Sequence, residues 1–574
     1  MEGKERVSLW IRNARVYNSF LKKFERANVA VRGERFYYID RRQEIDFEAE
    51  EIVDVMGRYM LPGLTDIHMH IESSMMTPSA IAGCLAENGV TTVVTEPHEM
   101  ANVKGLRGVE EMIRSGADTP VDIYYGIPAS VPTIGDGMET TGGRIDFADM
   151  RRLLARPEVV CVGEVMNYRQ IIQEKDLEIT KFLRYLRENG IDIPVEGHCP
   201  SLVDLELAKY LYQGIDSDHT EHTFEEACQR LENGMFLEIQ DKMLDEKLLQ
   251  YIRKNGLYEY CAFVTDDTMA DTLIREGHLN RIVEKAMEKG FPPEKAIYCA
   301  TYTPARRMRL FDHGCVSPGK LADFMIVAEP VRLRPEMVYK RGRQIYRKGD
   351  SRQQKKGKFP KDFYKSVVVS EAQLAAFDGI HAPIQSGEVT VRAIEVSPHS
   401  THTRGCHIRM PVKDGLLRWE ESGCLLAAVI ERHGKNGAVG IGFLTGACHK
   451  KGTVATTYCH DHHNLLVAGD NVEDMKLAVR RLFELQGGYL TVQDGKILAE
   501  LALPVGGIVS ECPAEEIGGN LSQVRQSMEK LGYEHENPIM SFSCLGLPVS
   551  PEWKLTDQGL INVKRGQRVS LFVS

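Results

Sequence analysis

Two histidines separated by one residue are the first feature of this sequence that could carry out chemistry. His68 and His70 lie in the stretch LPGLTDIHMHIESS, where residues 63–70 read as a short buried strand ended by polar residues. Side chains two apart in a strand point to the same face, so both imidazoles could bind one transition-metal ion. Two hydrogen-bonded core histidines would give the same pattern, so the rest of the sequence must distinguish the two interpretations.

The region from residue 61 to 315 predicts the frame that would position these side chains. Apolar strand-like runs alternate there with amphipathic segments of helix length, many of which end at Gly. Eight such runs in about 250 residues favour a (β/α)8 barrel, with a doubly wound open sheet as the alternative. The runs are GLTDIHMH, TTVVTEP, VDIYYGIP, VVCVGEV, IPVEGHC, GIDSDHT, MFLEIQ and CAFVTDD.

A barrel carries its catalytic side chains at the C-terminal ends of its strands. Imidazoles and carboxylates occupy these ends in six of the eight runs: His68, His70, His98, Glu164, His198, His219 and Asp266. Strand ends meet at one mouth of a barrel whatever their distance along the chain, so we expect these side chains to form one site.

Leaving His98 aside, these side chains make a donor set of four imidazoles and two carboxylates. That is too many ligands for one four-coordinate ion and suits two. Glu164 could bridge two cations, and two cations that share one water lower its pKa steeply. Asp266 could then carry a proton from that water to a leaving group. The implied reaction is metal-assisted hydrolysis at an electrophilic carbon, with Mn, Fe or Zn as the metal.

Simpler interpretations exist for some of these residues. Glu164 could pair with Arg169, although a carboxylate in a barrel mouth is costly to bury without a strong partner. Asp266 or Asp267 could cap the next helix. Three other histidines are expected to be surface or packing residues: His278, His313 and His449.

Short strand-like runs lie on both sides of the predicted barrel. Residues 1–60 and 316–350 share this character, so we expect them to form one composite β domain. Residues 350–365 are polar and basic without periodicity, and read as a linker or exposed loop.

A second globular region is expected beyond residue 366. Residues 366–574 mix strand-like and helix-like segments, which predicts an α+β domain. Its stretch CHDHHN, residues 459–464, could be a metal or active-site contact or a hydrogen-bonded turn.

Composition excludes several classes of protein. The chain has 574 residues, enough for two to four domains, and a net charge of −10, which argues against a nucleic-acid binder. No apolar run approaches the roughly 18–20 residues of a membrane helix, and the first residues do not resemble a signal peptide. The 13 Cys form no C-x-x-C pair, as expected for reduced thiols in the cytoplasm. A homo-oligomer is compatible with all of this.

Several longer motifs resemble the amidohydrolase superfamily and, within it, the adenine deaminase family. The resemblance covers most of the chain and continues past the barrel, where the generic superfamily has no counterpart. The motifs are PGLTDIHMHIESSMMTP, TTVVTEPHEMANV, GEVMNY, EGHCPSL, DSDHTEH, TDD, REGHLNRIV, PGKLADFMIV, GTVATTYCHDHHNLLVAGDN, DGKILAELALPVGGI and LPVSPEWKLTDQGL.

The resemblance implies a binuclear site of two divalent metal ions, Mn or Fe, in which Glu164 bridges and Asp266 protonates the departing amine. Its implied ligands are His68, His70, Glu164, His198, His219 and Asp266. The implied reaction is adenine plus water to hypoxanthine plus ammonia, in purine salvage, with a small purine base as the partner. Three residues near these ligands are candidate substrate contacts: Glu72, His98 and Glu99. Glu72 could instead cap the next helix, and the other two could only orient a loop.

Three departures from the family pattern, at five positions, bear on the substrate. Gln240, Asp241 and Lys242 stand where the family usually has Arg-Glu-Gly-Ser, Thr220 stands where it has Glu, and Thr268 where it often has Arg. Two alternatives to adenine deamination therefore remain: an amidohydrolase acting on another amino-heterocycle or cyclic amide, and an inactive metal-binding relative. A zinc deaminase that edits nucleic-acid bases is disfavoured, because its H-x-E…P-C-x-x-C signature is missing.

Overall fold

The centre of the molecule is a barrel of parallel strands with helices around it. The computed structural model describes residues 5–134, 137–173, 175–350 and 357–573. Each of the eight predicted runs contains one barrel strand, and we number these strands first to eighth in chain order. Their bounds are Leu64–Met69, Val90–Thr95, Asp122–Ile127, Val159–Val165, Val195–Gly197, Ser217–Asp218, Phe236–Ile239 and Cys261–Phe263.

Backbone hydrogen bonds close the barrel at the two places where its sheets meet. The first five strands form one parallel sheet and the last three form another. The Asp216 N–H donates to the Val195 carbonyl at 3.3 Å, and the Asp266 N–H donates to the His68 carbonyl at 3.0 Å. The two sheets therefore meet at both edges, which confirms the predicted barrel over the open sheet.

Amphipathic helices cover the outside of the barrel. Glu178–Glu188, for example, buries Ile179, Phe182, Leu183 and Leu186, the spacing of one helix face. Phe224–Glu232 begins at a capping box, in which Thr223 and Glu226 accept each other's backbone N–H. The helices that surround the barrel are Pro78–Glu87, His98–Gly116, Phe147–Leu154, Tyr168–Ile172, Glu178–Glu188, Asp204–Tyr212, Phe224–Glu232, Glu246–Asn255, Ala270–Glu276, Leu279–Glu288 and Pro293–Arg307, with 3-10 turns at Ile71–Ser74 and Asp241–Met243.

One eight-stranded sheet is built from the segments before and after the barrel. Its strands are Arg6–Asn18, Lys23–Arg32, Arg35–Asp40, Glu48–Asp54, Tyr59–Pro62, Phe324–Glu329, Arg332–Lys340 and Arg343–Arg347. The strand that leads into the barrel and the strand that leaves it are antiparallel neighbours, with Pro62 opposite Phe324. The barrel is therefore inserted between two adjacent strands of this sheet.

A nine-stranded sheet forms the body of the C-terminal region. In spatial order its strands are Leu416–Leu417, Thr403–Lys413, Gly387–Val396, Val439–Gly446, Leu425–Ile430, Leu465–Gly469, Thr453–Thr456, Gly488–Gln493 and Lys496–Ala502. Both faces of its central strand are buried: Leu425, Ala427 and Val429 pack in the same core as the barrel, and the alternate residues pack in a second core. The sheet thus lies directly against the barrel.

Other elements complete this region. The helices are Glu371–Leu374, Val472–Leu485, Ala514–Lys530 and Pro538–Ser543, with 3-10 turns at Lys361–Tyr364, Ala375–Phe377, Trp419–Ser422 and Cys544–Gly546. A three-stranded sheet follows, with strands Trp553–Thr556, Gly559–Asn562 and Gln567–Val569. Among the described residues, none of the helices has the length and apolar character needed to cross a membrane.

The interpretation of residues 350–365 as a linker or exposed loop is wrong for its described part, residues 357–365. Phe359 and Phe363 are buried there. Asp362 pairs with Arg107, on the helix after the second barrel strand, at 2.6 Å. The basic composition of the stretch hid two aromatic anchors that attach it to the barrel. Residues 351–356 lie outside the described residues.

Candidate active site

Glu164 lies at the centre of the C-terminal mouth of the barrel. Its Oε1 is 3.0 Å from Nε2 of His70. Its Oε2 is 2.6 Å from Nδ1 of His198 and 3.4 Å from Nε2 of His219. One carboxylate thus contacts imidazoles from the first, fifth and sixth strands, as expected for a side chain that could bridge two cations.

Asp266 approaches the same cluster from the end of the eighth strand. Its Oδ1 is 3.4 Å from Nε2 of His70 and 3.8 Å from Nε2 of His68. The backbone of Asp266 has a φ of 57°, in the left-handed region that non-glycine residues rarely adopt. The first strand holds it there, because the Asp266 N–H donates to the His68 carbonyl. Strain of this kind is typical of functional sites.

The next helix, Ala270–Glu276, has Met269 as its N-cap residue, without a capping side chain. Neither Asp266 nor Asp267 therefore caps it.

The donor atoms fit divalent cations. Candidate ligand atoms in several groups lie within 4.8 Å of one another, among them those of His68, His219 and Asp266 and those of Glu164, His198 and His219. Nε2 of His68 and Nδ1 of His219 are buried and have no hydrogen-bond partner among the described residues. Buried polar atoms without partners are costly, and a mixed set of imidazoles and carboxylates is the kind that holds Mn, Fe or Zn.

Two buried glutamates that the sequence analysis did not single out position the ligand set. Glu96 accepts the backbone N–H of Glu164 and, through its own carbonyl, contacts Nδ1 of His70 at 3.2 Å. Glu238, on the seventh strand, places Oε2 3.4 Å from Nδ1 of His68. Such outer contacts fix the orientation of a ligating imidazole. The stretch TEPHEM offered a sequence signal for Glu96, whereas Glu238 sits inside an apolar run.

Burial and neighbouring charges shift the pKa values of these groups. It lowers the pKa of His68 to about 3, which keeps the imidazole in its neutral, ligating form. Burial also raises the pKa of Glu96 to about 8 and that of Glu72 to about 7. For His219 burial acts against the charged form, but the Glu164 carboxylate outweighs it and raises the pKa to about 9.

Because Gly163 has no side chain, the Glu96 carboxylate can lie directly against its backbone. A Cβ atom at this position would lie 2.2 Å from the carboxyl carbon of Glu96. We expect Gly163→Ala to displace that carboxylate and the adjacent Glu164, and to weaken divalent-cation affinity by about 10–100-fold, the usual cost of losing an outer contact. Calorimetric titration with Mn²⁺ measures this. Gly519→Ala is the matched control, because a Cβ there meets nothing within 4 Å, and equal affinities in the two variants would refute the expectation.

The three predicted substrate contacts occupy different places. His98 is at the site, with Nδ1 3.9 Å from Oε1 of Glu164, buried and without a hydrogen-bond partner among the described residues. Glu72 is fully buried; its Oε1 accepts the Met100 N–H at 3.3 Å, and its Oε2 has no hydrogen-bond partner in the described part of the chain. Glu99 is held on both oxygens by His460 and His463.

The capping alternative for Glu72 is wrong, since Thr77 is the N-cap of the next helix.

The CHDHHN stretch of the C-terminal region reaches the barrel mouth. Besides the contacts of its histidines with Glu99, Asp461 accepts a hydrogen bond from Thr133 Oγ1 at 2.6 Å and approaches His98. The segment is therefore more than a local turn.

Two of the positions that depart from the family pattern form hydrogen bonds beside His219. Gln240 donates to the carbonyl of His219 at 2.7 Å, and Thr220 donates to Asp218 at 2.9 Å. Asp241 is exposed and pairs with Lys285 at 2.5 Å. Lys242 is exposed and Thr268 is half-buried.

The contacts of Glu164 are with the imidazoles of the cluster rather than with Arg169, whose guanidinium donates to Tyr168. The other three histidines are all buried, as expected for packing residues: His278, His313 and His449.

Comparison with known proteins gives the family. Residues 59–345 match the Amidohydrolase family, and residues 400–567 match the family described as Adenine deaminase C-terminal domain. A protein named Adenine deaminase from Clostridium perfringens is 41% identical over 570 residues, 99% of this chain and 100% of that protein. One named Adenine deaminase 2 from Shouchella clausii is 43% identical over 571 residues, 99% of each. The chain therefore belongs to the adenine deaminase family, and its barrel is that of an amidohydrolase.

Proposed function

We propose that the protein is a metal-dependent hydrolase of C–N bonds that converts adenine and water to hypoxanthine and ammonia, a reaction of purine salvage. The observation that carries the proposal is the meeting of Glu164 with imidazoles from three barrel strands. It occurs in a chain whose relatives named adenine deaminases match it over 99% of its length.

The six converging side chains are proposed to hold two divalent cations, Mn or Fe. His70 contacts Oε1 of Glu164 and lies beside Asp266, whereas His198 and His219 contact Oε2. When bound, such cations supply Lewis acidity and lower the pKa of a bound water to about 7. Zn suits the same mixture of nitrogen and oxygen donors.

Asp266 is proposed to move the proton. Its carboxylate accepts one proton from the attacking water as the oxygen bonds to C6 of the base. It then returns that proton to the exocyclic nitrogen, the C6–N bond breaks, and ammonia leaves. Oδ1 of Asp266 lies 3.4 Å from Nε2 of His70, at the mouth where it can reach the water first and the amine next.

Two buried side chains with unpartnered atoms are proposed to position the base. Nδ1 of His98 faces the Glu164 side of the mouth, where it can donate to a ring nitrogen. Oε2 of Glu72 is a buried acceptor that can take an N–H of the purine. Both would be satisfied by a flat heterocycle with alternating donors and acceptors.

A second candidate substrate is another amino-heterocycle or a cyclic amide. The departures at Thr220, Gln240, Asp241 and Thr268 favour it, because they alter the surroundings of the sixth, seventh and eighth strand ends. An inactive metal-binding relative is less well supported, since every ligand and the proton carrier Asp266 are present.

The test is ammonia release from adenine by protein stripped of metal and reloaded with Mn²⁺. A panel of amino-purines, amino-pyrimidines and cyclic amides is run beside it. We expect adenine to have the highest kcat/KM of the panel. Turnover of another member with adenine untouched would transfer the proposal to the second candidate, and metal binding with no turnover of any member would favour the inactive relative.

A further inference from the structure

A second cluster of metal-ligating side chains lies where the barrel meets the C-terminal region. His98 and Glu99 come from the start of the helix His98–Gly116. His460 and Asp461 come from the segment between the strands Thr453–Thr456 and Leu465–Gly469. All four side chains are buried, with between 1% and 5% of their surface exposed. We call these four residues the seam cluster.

Three distances within the seam cluster are close to those of ligands around one ion. Nε2 of His98 is 3.8 Å from Oε1 of Glu99 and 3.8 Å from Oδ1 of Asp461. Nδ1 of His460 is 3.7 Å from Oδ1 of Asp461 and contacts Oε1 of Glu99 closely. The three separations of 3.7–3.8 Å are too long for hydrogen bonds, whereas the contact between His460 and Glu99 is short enough to be one. Four ligands at about 2.1 Å from a tetrahedral ion would lie roughly 3.4 Å apart, which is close to the observed spacing.

Each carboxylate of the seam cluster is oriented by a partner outside it. Oε2 of Glu99 is held by His463, which leaves Oε1 to face the cluster. Oδ2 of Asp461 accepts the Thr133 hydroxyl at 2.6 Å, which leaves Oδ1 to face it. Outer contacts that fix one oxygen and free the other are the usual support of carboxylate ligands.

Charge supports a cation at the same place. Two buried carboxylates carry two negative charges, and burying them without compensation is costly. One divalent cation would neutralise both. Two imidazoles with two carboxylate oxygens suit Mn²⁺, Fe²⁺ or Zn²⁺ rather than Ca²⁺, which prefers oxygen ligands alone.

We propose that His98, Glu99, His460 and Asp461 bind a further divalent transition-metal ion, separate from the pair proposed at Glu164. The ion ties the barrel to the C-terminal region, because each contributes two ligands. His98 connects the two sites: its Nε2 faces the seam cluster, and its Nδ1 is 3.9 Å from Glu164. The assignment does not depend on adenine being the substrate.

The first test is metal stoichiometry. Protein stripped of metal is saturated with Mn²⁺, desalted and analysed by mass spectrometry of the metal. We expect about three ions per chain in the wild type, about two in the double variant His460→Gln with Asp461→Asn, and about one in Glu164→Gln. A wild type that saturates at two ions, or a double variant that keeps the wild-type number, would overturn the proposal.

A second measurement guards against misfolding of the double variant. The single variant Asp461→Asn keeps the shape of the side chain and removes one charged ligand, and circular dichroism reports whether it folds. Its matched control is Asp557→Asn, which alters another buried aspartate of the C-terminal region that hydrogen-bonds Thr140. We expect at least a tenfold loss of affinity for one ion in Asp461→Asn only. Equal affinities in both variants would overturn the proposal.

The main rival occupant of the seam cluster is the substrate itself. If His98 and Glu99 contact the base there, the double variant keeps its metal content and instead raises KM for adenine at least tenfold. That pattern refutes the seam ion and leaves the proposed deaminase activity intact. Conversely, three ions in a protein that does not attack adenine would support the seam ion while the proposed function fails.

Discussion

Asp266→Asn is expected to lower kcat for adenine deamination by at least about a thousandfold. Proton transfer by a positioned side chain contributes about 10²–10⁴-fold, and an amide has no basic oxygen with which to take the proton from water. The variant also replaces a charged oxygen 3.4 Å from His70 by a neutral group. The measurement is ammonia release by the Mn²⁺-loaded variant under single-turnover conditions, which isolates the chemical step from product release.

Asp267→Asn is the matched control for this experiment. Asp267 is the next residue, but it is exposed and its carboxylate accepts the Ser73 hydroxyl. We expect this control to keep kcat within about tenfold of the wild type, well short of the loss from a missing proton carrier. If Asp266→Asn retained a comparable rate, another group would have to carry the proton.

Glu164→Gln is expected to remove the metal pair and, with it, measurable turnover. A glutamine keeps the size of the side chain but loses the charge that faces His70, His198 and His219. It also has one acceptor atom instead of two and cannot bridge two cations. We expect about two ions fewer per chain than in the wild type and a fall in kcat/KM of about 10⁴-fold or more, because both Lewis acidity and activation of water are lost.

The informative comparison is Glu164→Asp, which keeps the charge and shortens the reach. It should retain more metal and more activity than Glu164→Gln, because the carboxylate keeps two charged oxygens, although each would lie farther from the cations. Metal analysis and ammonia release on the same preparations separate binding from chemistry. A Glu164→Gln protein that binds as many ions as the wild type would exclude the bridging role.

The barrel and its proposed ligand set could be predicted from the sequence for a physical reason. Parallel strands read as short apolar runs, and a barrel brings all their C-terminal ends to one mouth. His68 and Asp266 are therefore neighbours although they are 198 residues apart in the sequence. A backbone hydrogen bond joins the first and eighth barrel strands at these two residues. A pattern of strand ends was enough to predict this proximity.

The supporting residues could not be predicted in the same way. Glu238 lies within an apolar run, and nothing in that run indicates that its carboxylate faces His68. The pairing of Glu99 with His460 depends on how two separate regions dock, and no local periodicity encodes docking. The burial of Phe359 and Phe363 was not predicted, because they lie in a basic stretch whose composition is typical of a solvated segment. Only the folded structure shows that both rings pack against the barrel.

Insertion of the barrel between paired strands has a consequence for folding during synthesis. Tyr59–Pro62 leaves the ribosome long before Phe324–Glu329, with which it pairs. At about 5–20 residues per second, the roughly 260 intervening residues take about 13–50 s to translate. During that time an apolar strand edge has no partner, and such edges template aggregation. We expect nascent chains arrested before residue 324 to recruit chaperones more strongly than chains arrested after residue 350.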